Sequence, residues 1–354
     1  MKTRFCFQFS VLTWPRIVAY MINKMFGFLR ANLLFVFCAT SLSLFAQPGV
    51  TRTGRDLTLF GRGLYPGDDS TFDLVRHSGF TTLMLSSFYI RADGDVYSGD
   101  DGRHPIIHQG VYTGNEEWVR RVRSLKNSGS VQRIEILLEG RWYNQPPNTY
   151  DFIRDWIDSG KAAPGVVPGT NPGSTLHTIV RILKDKLGAD AICIDDESVY
   201  DSPSLIRLGE MAHTLGVHMT LCPFTKIPFW KSVLDQSPKG AVDAIYLQCY
   251  DGGKGNTPGP WIQAMGSSVP VVPIFLCRGA FSTCGTSHNS KTPDEIRMDM
   301  QAFRKESPGL KGGGLWQIAD VKDYIRMNCG VQDPASGNAT TVPQYLDQLR
   351  KSLE

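Results

Sequence analysis

No long apolar run occurs after residue 46 of this 354-residue chain, so no membrane-spanning helix is expected in its body. Charge is sparse: 37 Lys and Arg stand against 34 Asp and Glu, and only 20% of positions are charged. The formal excess of +3 is itself local. Residues 1–46 hold five basic residues (Lys2, Arg4, Arg16, Lys24 and Arg30) and no acidic one, so without them +3 becomes −2. A nearly neutral remainder has no broad basic surface for a phosphate backbone, and nucleic acid is not expected as a partner. The histidines, among them His104, His108, His177, His213, His218 and His288, show no ligand spacing, and neither do the cysteines. No metal or other cofactor is expected. A Ser-hydrolase elbow is missing. So is a dinucleotide loop, because Gly61-Arg62-Gly63-Leu64 has one G-x-G and lacks the rest. With 42% hydrophobic positions the chain is too apolar for disorder, and it is too irregular for a coiled coil.

What is present begins with a leader. Basic residues precede the stretch Ala31–Ala46, which is short for a membrane span and ends in small residues. Those are the marks of a secretory signal peptide, with cleavage expected after Ala46. The first twenty residues are surplus to such a leader, and Met21 or Met25 would make a more ordinary start. Bulky Phe37 before Cys38 argues against lipid attachment, so a secreted or periplasmic protein without a membrane anchor is expected. Six cysteines follow the leader. Four of them, Cys193, Cys222, Cys249 and Cys277, lie in apolar strand-like runs where a buried free thiol is the commoner state. Export permits disulfides, and Cys277 with Cys284 would close a small loop.

From Leu57 onward, short β-branched runs alternate with amphipathic stretches. The strand candidates are Leu57–Gly61, Thr81–Ser86, Ile134–Glu139, Asp190–Asp195, His218–Cys222, Ala244–Tyr250, Val271–Leu276 and Gly313–Gln317. Helix candidates lie between them, and a last one near Pro343–Leu353 ends the series. Eight strand–helix units predict an α/β fold, a single-domain (β/α)8 TIM barrel over residues 47–354. Long loops are expected after the second strand (Phe88–Gly114) and the third (Arg141–Asn148). Their aromatics, Phe88, Tyr89, Tyr97, Tyr112, Trp142 and Tyr143, suit either sugar stacking or packing of the loops themselves.

The richest segment is Asp190-Ala-Ile-Cys-Ile-Asp-Asp-Glu197. Alternation along a strand puts Cys193, Asp195 and Glu197 on one face, with Ile192 and Ile194 on the other. In a barrel the isoleucines would lie under the helices, and the acids would rise toward the catalytic mouth. Two such acids raise one another's pKa by repulsion and desolvation, which would keep a proton on Glu197 as a general acid requires. The alternative is a surface turn whose acids are merely solvated.

This stretch resembles the D-x-x-D-x-D-x-E signature of glycoside hydrolase family 18, the chitinases and endo-β-N-acetylglucosaminidases. Asp190, Asp195 and Glu197 match its first Asp, third Asp and catalytic Glu, and Cys193 stands where the family has its middle Asp. The Asp-Asp-Glu ending is nearer to the endoglycosidases. Gln248-Cys-Tyr250-Asp251 resembles the family's M/Q-x-Y-D/N element, and Gly313-Gly314-Leu315-Trp316-Gln317 its last strand. The resemblance implies hydrolysis of β-1,4 linkages at N-acetylglucosamine, in chitin-like polymers or the chitobiose core of N-glycans. It implies a retaining, substrate-assisted route, with Glu197 as acid, Asp195 orienting the acetamide, Tyr250 hydrogen-bonding its oxygen and Trp316 as the sugar floor. Asp251, Gln248 and Trp142 would support substrate. A thiol at position 193 implies a reduced rate, and the rival expectation is a weakened or inactive barrel that binds glycans.

Overall fold

The computed structural model describes residues 55–140, 147–285, 287–332 and 340–354, all within the unit Pro48–Glu354. Its strands are β1 (Asp56–Phe60), β2 (Thr82–Ile90), β3 (Val96–Ser98), β4 (Asp101–His108), β5 (Val111–Tyr112), β6 (Arg133–Glu139), β7 (Ala191–Asp195), β8 (His218–Leu221), β9 (Val242–Gln248), β10 (Val271–Leu276) and β11 (Gly312–Trp316). Eight of these are parallel and run β1-β2-β6-β7-β8-β9-β10-β11, and β11 pairs back onto β1. These eight staves close on themselves and leave no free edge among them. It is a (β/α)8 barrel, and the eight expected strands are the barrel staves.

Alternation along each stave separates two cores. On β7, Ile192 and Ile194 face the shell under the helices, and Cys193 faces the interior with Phe60, Met84, Leu137, Tyr246 and Ile274. On β6 the same rule sends Ile134, Ile136 and Leu138 outward and Leu137 inward. The helices that cover the staves start on side-chain caps. Ser174 caps Thr175–Leu187, Asp201 caps Ser202–Thr214, and Thr292 with Glu295 forms a capping box on Pro293–Glu306. The glycines of β11 answer a close approach. A Cβ on Gly313 would meet Leu349 at 2.9 Å, and one on Gly314 would meet Ile274 at 2.3 Å.

Two features depart from expectation. The segment after the second strand is not an open loop. β2 continues to Ile90, and β3, β4 and β5 add an antiparallel extension beyond the barrel. Its last hairpin turns on Gln109-Gly110, both at positive φ, a two-residue turn suited to the twist of the strands. The disulfide joins Cys284 to Cys329 rather than to Cys277. Cys277 lies inside the shell, where its thiol faces the Trp316 and Gln317 carbonyls at 3.1 and 3.2 Å. Cys193, Cys222, Cys249 and Cys277 are buried free thiols, as the apolar runs around them implied. Among the described residues, no helix is long and apolar enough to cross a membrane.

Candidate active site

The carboxyl ends of the staves open into a cleft of about 780 Å³. β7 delivers Asp195 to its floor, 6% exposed, with Cys193 directly below in the interior. The strand stops there because the next residue is used locally. Buried Asp196 accepts the backbone N–H groups of Ser198 (3.0 Å), Val199 (2.8 Å) and Tyr200 (2.6 Å). That turn leaves Glu197 exposed at the mouth. The backbone of Asp195 is fixed through Tyr150, on the helix Thr149–Arg154 that follows β6. Its N–H donates to the Tyr150 hydroxyl at 2.7 Å, and that hydroxyl donates to the Leu138 carbonyl at 2.7 Å.

Gln248 at the end of β9 ties the acids together. Its Nε2 donates to Asp195 Oδ1 (3.0 Å), Glu197 Oε1 (3.3 Å) and the Cys222 carbonyl (3.0 Å). Tyr250 follows two residues later on the same side, its ring centroid 6.0 Å from that of Trp316. Trp316 ends β11 and rests against Phe60 at 4.9 Å. Asp251, exposed at the rim with φ of 45°, meets His288 Nδ1 at 3.0 Å.

Burial dominates the electrostatics. Asp195 is pushed well above the usual carboxylate range, first by desolvation and then by the negative charges of Glu197 and Glu139. Tyr250 is driven upward by burial and by the acids around it, so its hydroxyl remains a neutral donor. The Cys222 thiol is raised well above its usual value by its hydrogen bond with Cys193 and by burial. Asp320, on the opposite wall, is raised to about 6 by burial, with the Gln317 side chain and Arg62 pulling against that.

The structure thus gathers Asp195, Glu197, Gln248, Tyr250, Asp251 and Trp316 around one cleft. Asp190, the first residue of the matched motif, sits far down the stave. It accepts the Ile134 N–H at 2.9 Å and pairs with Lys126 at 2.7 Å. Trp142 and Tyr143 lie outside the described residues. The aromatics Phe88, Tyr89 and Tyr97 are buried, and none lines the cleft. Sequence reasoning passed over Glu139, which ends β6 and lines the cleft beside Asp195. The signal was available: Glu135, Leu137 and Glu139 alternate inward on a stave just as Cys193 and Asp195 do. It also passed over Phe281, 62% exposed at the rim, whose ring lies 4.2 Å from that of His288. Among the described residues, no group of three or more His, Cys, Asp or Glu is arranged to hold a metal ion.

No protein-family model matches the sequence, and no curated protein sequence matches it. Solved structures do. Active domain 2 of a thermostable chitinase from Pyrococcus furiosus, complexed with chito-oligosaccharides, superposes with a TM-score of 0.52 at 9% identity, covering 86% of this chain and 96% of that one. A chitinase from Ipomoea carnea gives 0.50 at 11% identity over 77% and 98%. The spore cortex-lytic enzyme of Bacillus cereus gives 0.50 at 11% identity over 86% and 76%. The barrel is chitinase-like. Identities this low speak for the fold, and the chemistry has to be argued from the cleft.

Proposed function

We propose that this protein is an exported glycoside hydrolase that cleaves β-1,4 linkages at N-acetylglucosamine, in a chitin-like polymer or an N-glycan chitobiose core. The observation that carries this reading is the shared cleft: a buried acid, an exposed acid, a neutral phenol and a flat indole face converge at the carboxyl end of one barrel. Catalytic groups belong at that end of such a barrel.

In the proposed reaction Glu197, open to the cleft, protonates the glycosidic oxygen. The substrate's own acetamide oxygen attacks the anomeric carbon from the other face, giving an oxazolinium ion and retention on hydrolysis. This is an exception to the two-carboxylate scheme. Asp195 accepts the acetamide N–H and stabilises the positive charge as it develops, with Gln248 holding it at a fixed angle. Tyr250 donates to the acetamide oxygen, and Trp316 forms the apolar floor under the ring. Asp251 borders the substrate from the rim. Water then opens the oxazolinium ion, with Glu197 as base.

The test is release of fluorophore from a chitobiose-linked substrate. Glu197→Gln is expected to lower kcat by at least about a thousandfold while sparing affinity. Unchanged turnover in that variant would sink the assignment. Cys193 favours one second reading. A buried thiol lies beneath Asp195 where the resembled family has a carboxyl, which suits a barrel that binds N-acetylglucosamine glycans with little turnover. Micromolar binding without detectable product at any pH would select it.

A further inference from the structure

Among the carboxyls of the cleft that the mechanism above leaves unused, Glu139 lies beside Asp195. Glu139 closes β6, and the parallel register sets it against Asp195 at the end of β7. Adjacent strands lie about 4.8 Å apart and register partners project to the same face, so both carboxyls enter the mouth side by side. Glu139 is also held. Its Oε1 accepts from the Ser87 hydroxyl and its Oε2 from the Tyr89 hydroxyl, both donors being buried on β2. Arg62, at the turn after β1, lines the same cleft.

We propose that Glu139 is a positioning residue of this site: a carboxylate pinned by Ser87 and Tyr89 whose charge keeps one proton on the Asp195–Glu197 pair. This rests on the reading of the cleft as a glycosidase site with Glu197 as proton donor. The charge falls on Glu139 first because two hydroxyls and a nearby cation stabilise its ionised form. Asp195 and Glu197 both accept from the Nε2 of Gln248. Burial pushes both Glu139 and Asp195 upward, and Asp195 is raised further by the negative charges of Glu197 and Glu139. The groups around Glu139 are Arg62 after β1, Ser87 and Tyr89 on β2, Asp195 and Glu197 at the end of β7, and Tyr250 after β9. Arg62 is the one cation among them, and its exposure weakens its effect. A fixed anion at Glu139 makes a second negative charge costly and delays loss of the shared proton to higher pH. The three carboxyls titrate as a cluster.

The experiment measures kcat/KM against pH on the chitobiose-linked fluorogenic substrate for the wild-type protein, Glu139→Gln and Glu139→Asp. Carboxyl-¹³C NMR titration of Asp195 and Glu197 is run on the same proteins without substrate. Removing the charge in Glu139→Gln is expected to move the alkaline limb down by about one pH unit. KM should hold, Glu139→Asp should keep the wild-type limb, and the NMR titration should move in step. An unmoved limb and titration in Glu139→Gln overturn the proposal. Should that variant fail to fold, Tyr89→Phe loosens the pin and is expected to give a smaller shift in the same direction; no shift there overturns it equally. If the wild-type protein releases no product, the hydrolase reading is what has failed. The NMR titration then still decides the role of Glu139, downward movement of the pair supporting it and none refuting it.

Discussion

Asp195 and Asp196 are neighbours in the chain with opposite duties. Asp196 spends its carboxylate on three backbone N–H groups and shapes the turn, whereas Asp195 stands in the cleft among other acids. The sequence gives two identical letters, and only the turn distinguishes them. Carrying charge at Asp195 has a cost in stability. Its native pKa lies well above its unfolded one, so the folded state binds the proton more tightly. Stability conferred by this group is greatest at low pH and is lost as pH climbs from about 4, the unfolded value, toward the native one. Asp195→Asn is therefore expected to melt several degrees higher than wild type at pH 8 and to gain little at pH 4, while losing turnover. Thermal melts at both pH values check this, and an equal gain at both would contradict the stated cause.

At the scale of elements, the barrel staves were legible because each alternates between an apolar shell face and a mixed interior face. Their ends fall within a few residues of those expected. The helix Ile318–Arg326 and the β3–β5 extension were not foreseen. The first is short, with its apolar positions Ile318, Val321 and Tyr324 spread over little more than two turns. The second runs through Asp- and Gly-rich sequence whose outer face is solvated, so hydrophobic periodicity is weak. The disulfide was expected in the wrong place because spacing favours the nearer cysteine, whereas the Cys277 thiol is buried in the shell against the Trp316 and Gln317 carbonyls. The Cys284–Cys329 bond spans 45 residues and anchors the loop that bears Phe281 and His288. Replacing both cysteines by serine is expected to cost about 3–4 kcal/mol in denaturant unfolding. A loss below about 1 kcal/mol would mean that the loop is held by its packing instead.

Across the whole molecule, the barrel interior is layered by polarity. Near the amino ends of the staves, fully buried Glu135 accepts from Arg133 Nε (2.6 Å), Tyr246 (2.8 Å) and Thr220 (2.7 Å), and Arg133 reaches on to Asp243 at 2.9 Å. An apolar layer containing Leu137 and Cys193 follows, register partners on adjacent strands. The acids of the cleft form the top. Arg133→Met would leave Glu135 buried without its charge partner and is expected to cost about 3–5 kcal/mol, read from the shift in urea midpoint. Because this layer lies two side-chain levels below the cleft, kcat of the folded fraction should hold. A lowered kcat in protein that is fully folded would show that the layers are coupled.

By itself the sequence determined the eight-stave plan and the positions of Asp195, Glu197, Tyr250 and Trp316 along it. Period-two alternation and strand ends are local properties, and the chain states them directly. Tertiary structure alone decided which carboxyls meet, which cysteines bond and which acid turns away. Those outcomes depend on register between strands roughly 50 residues apart and on how loops close over a common mouth, and no single segment carries that information.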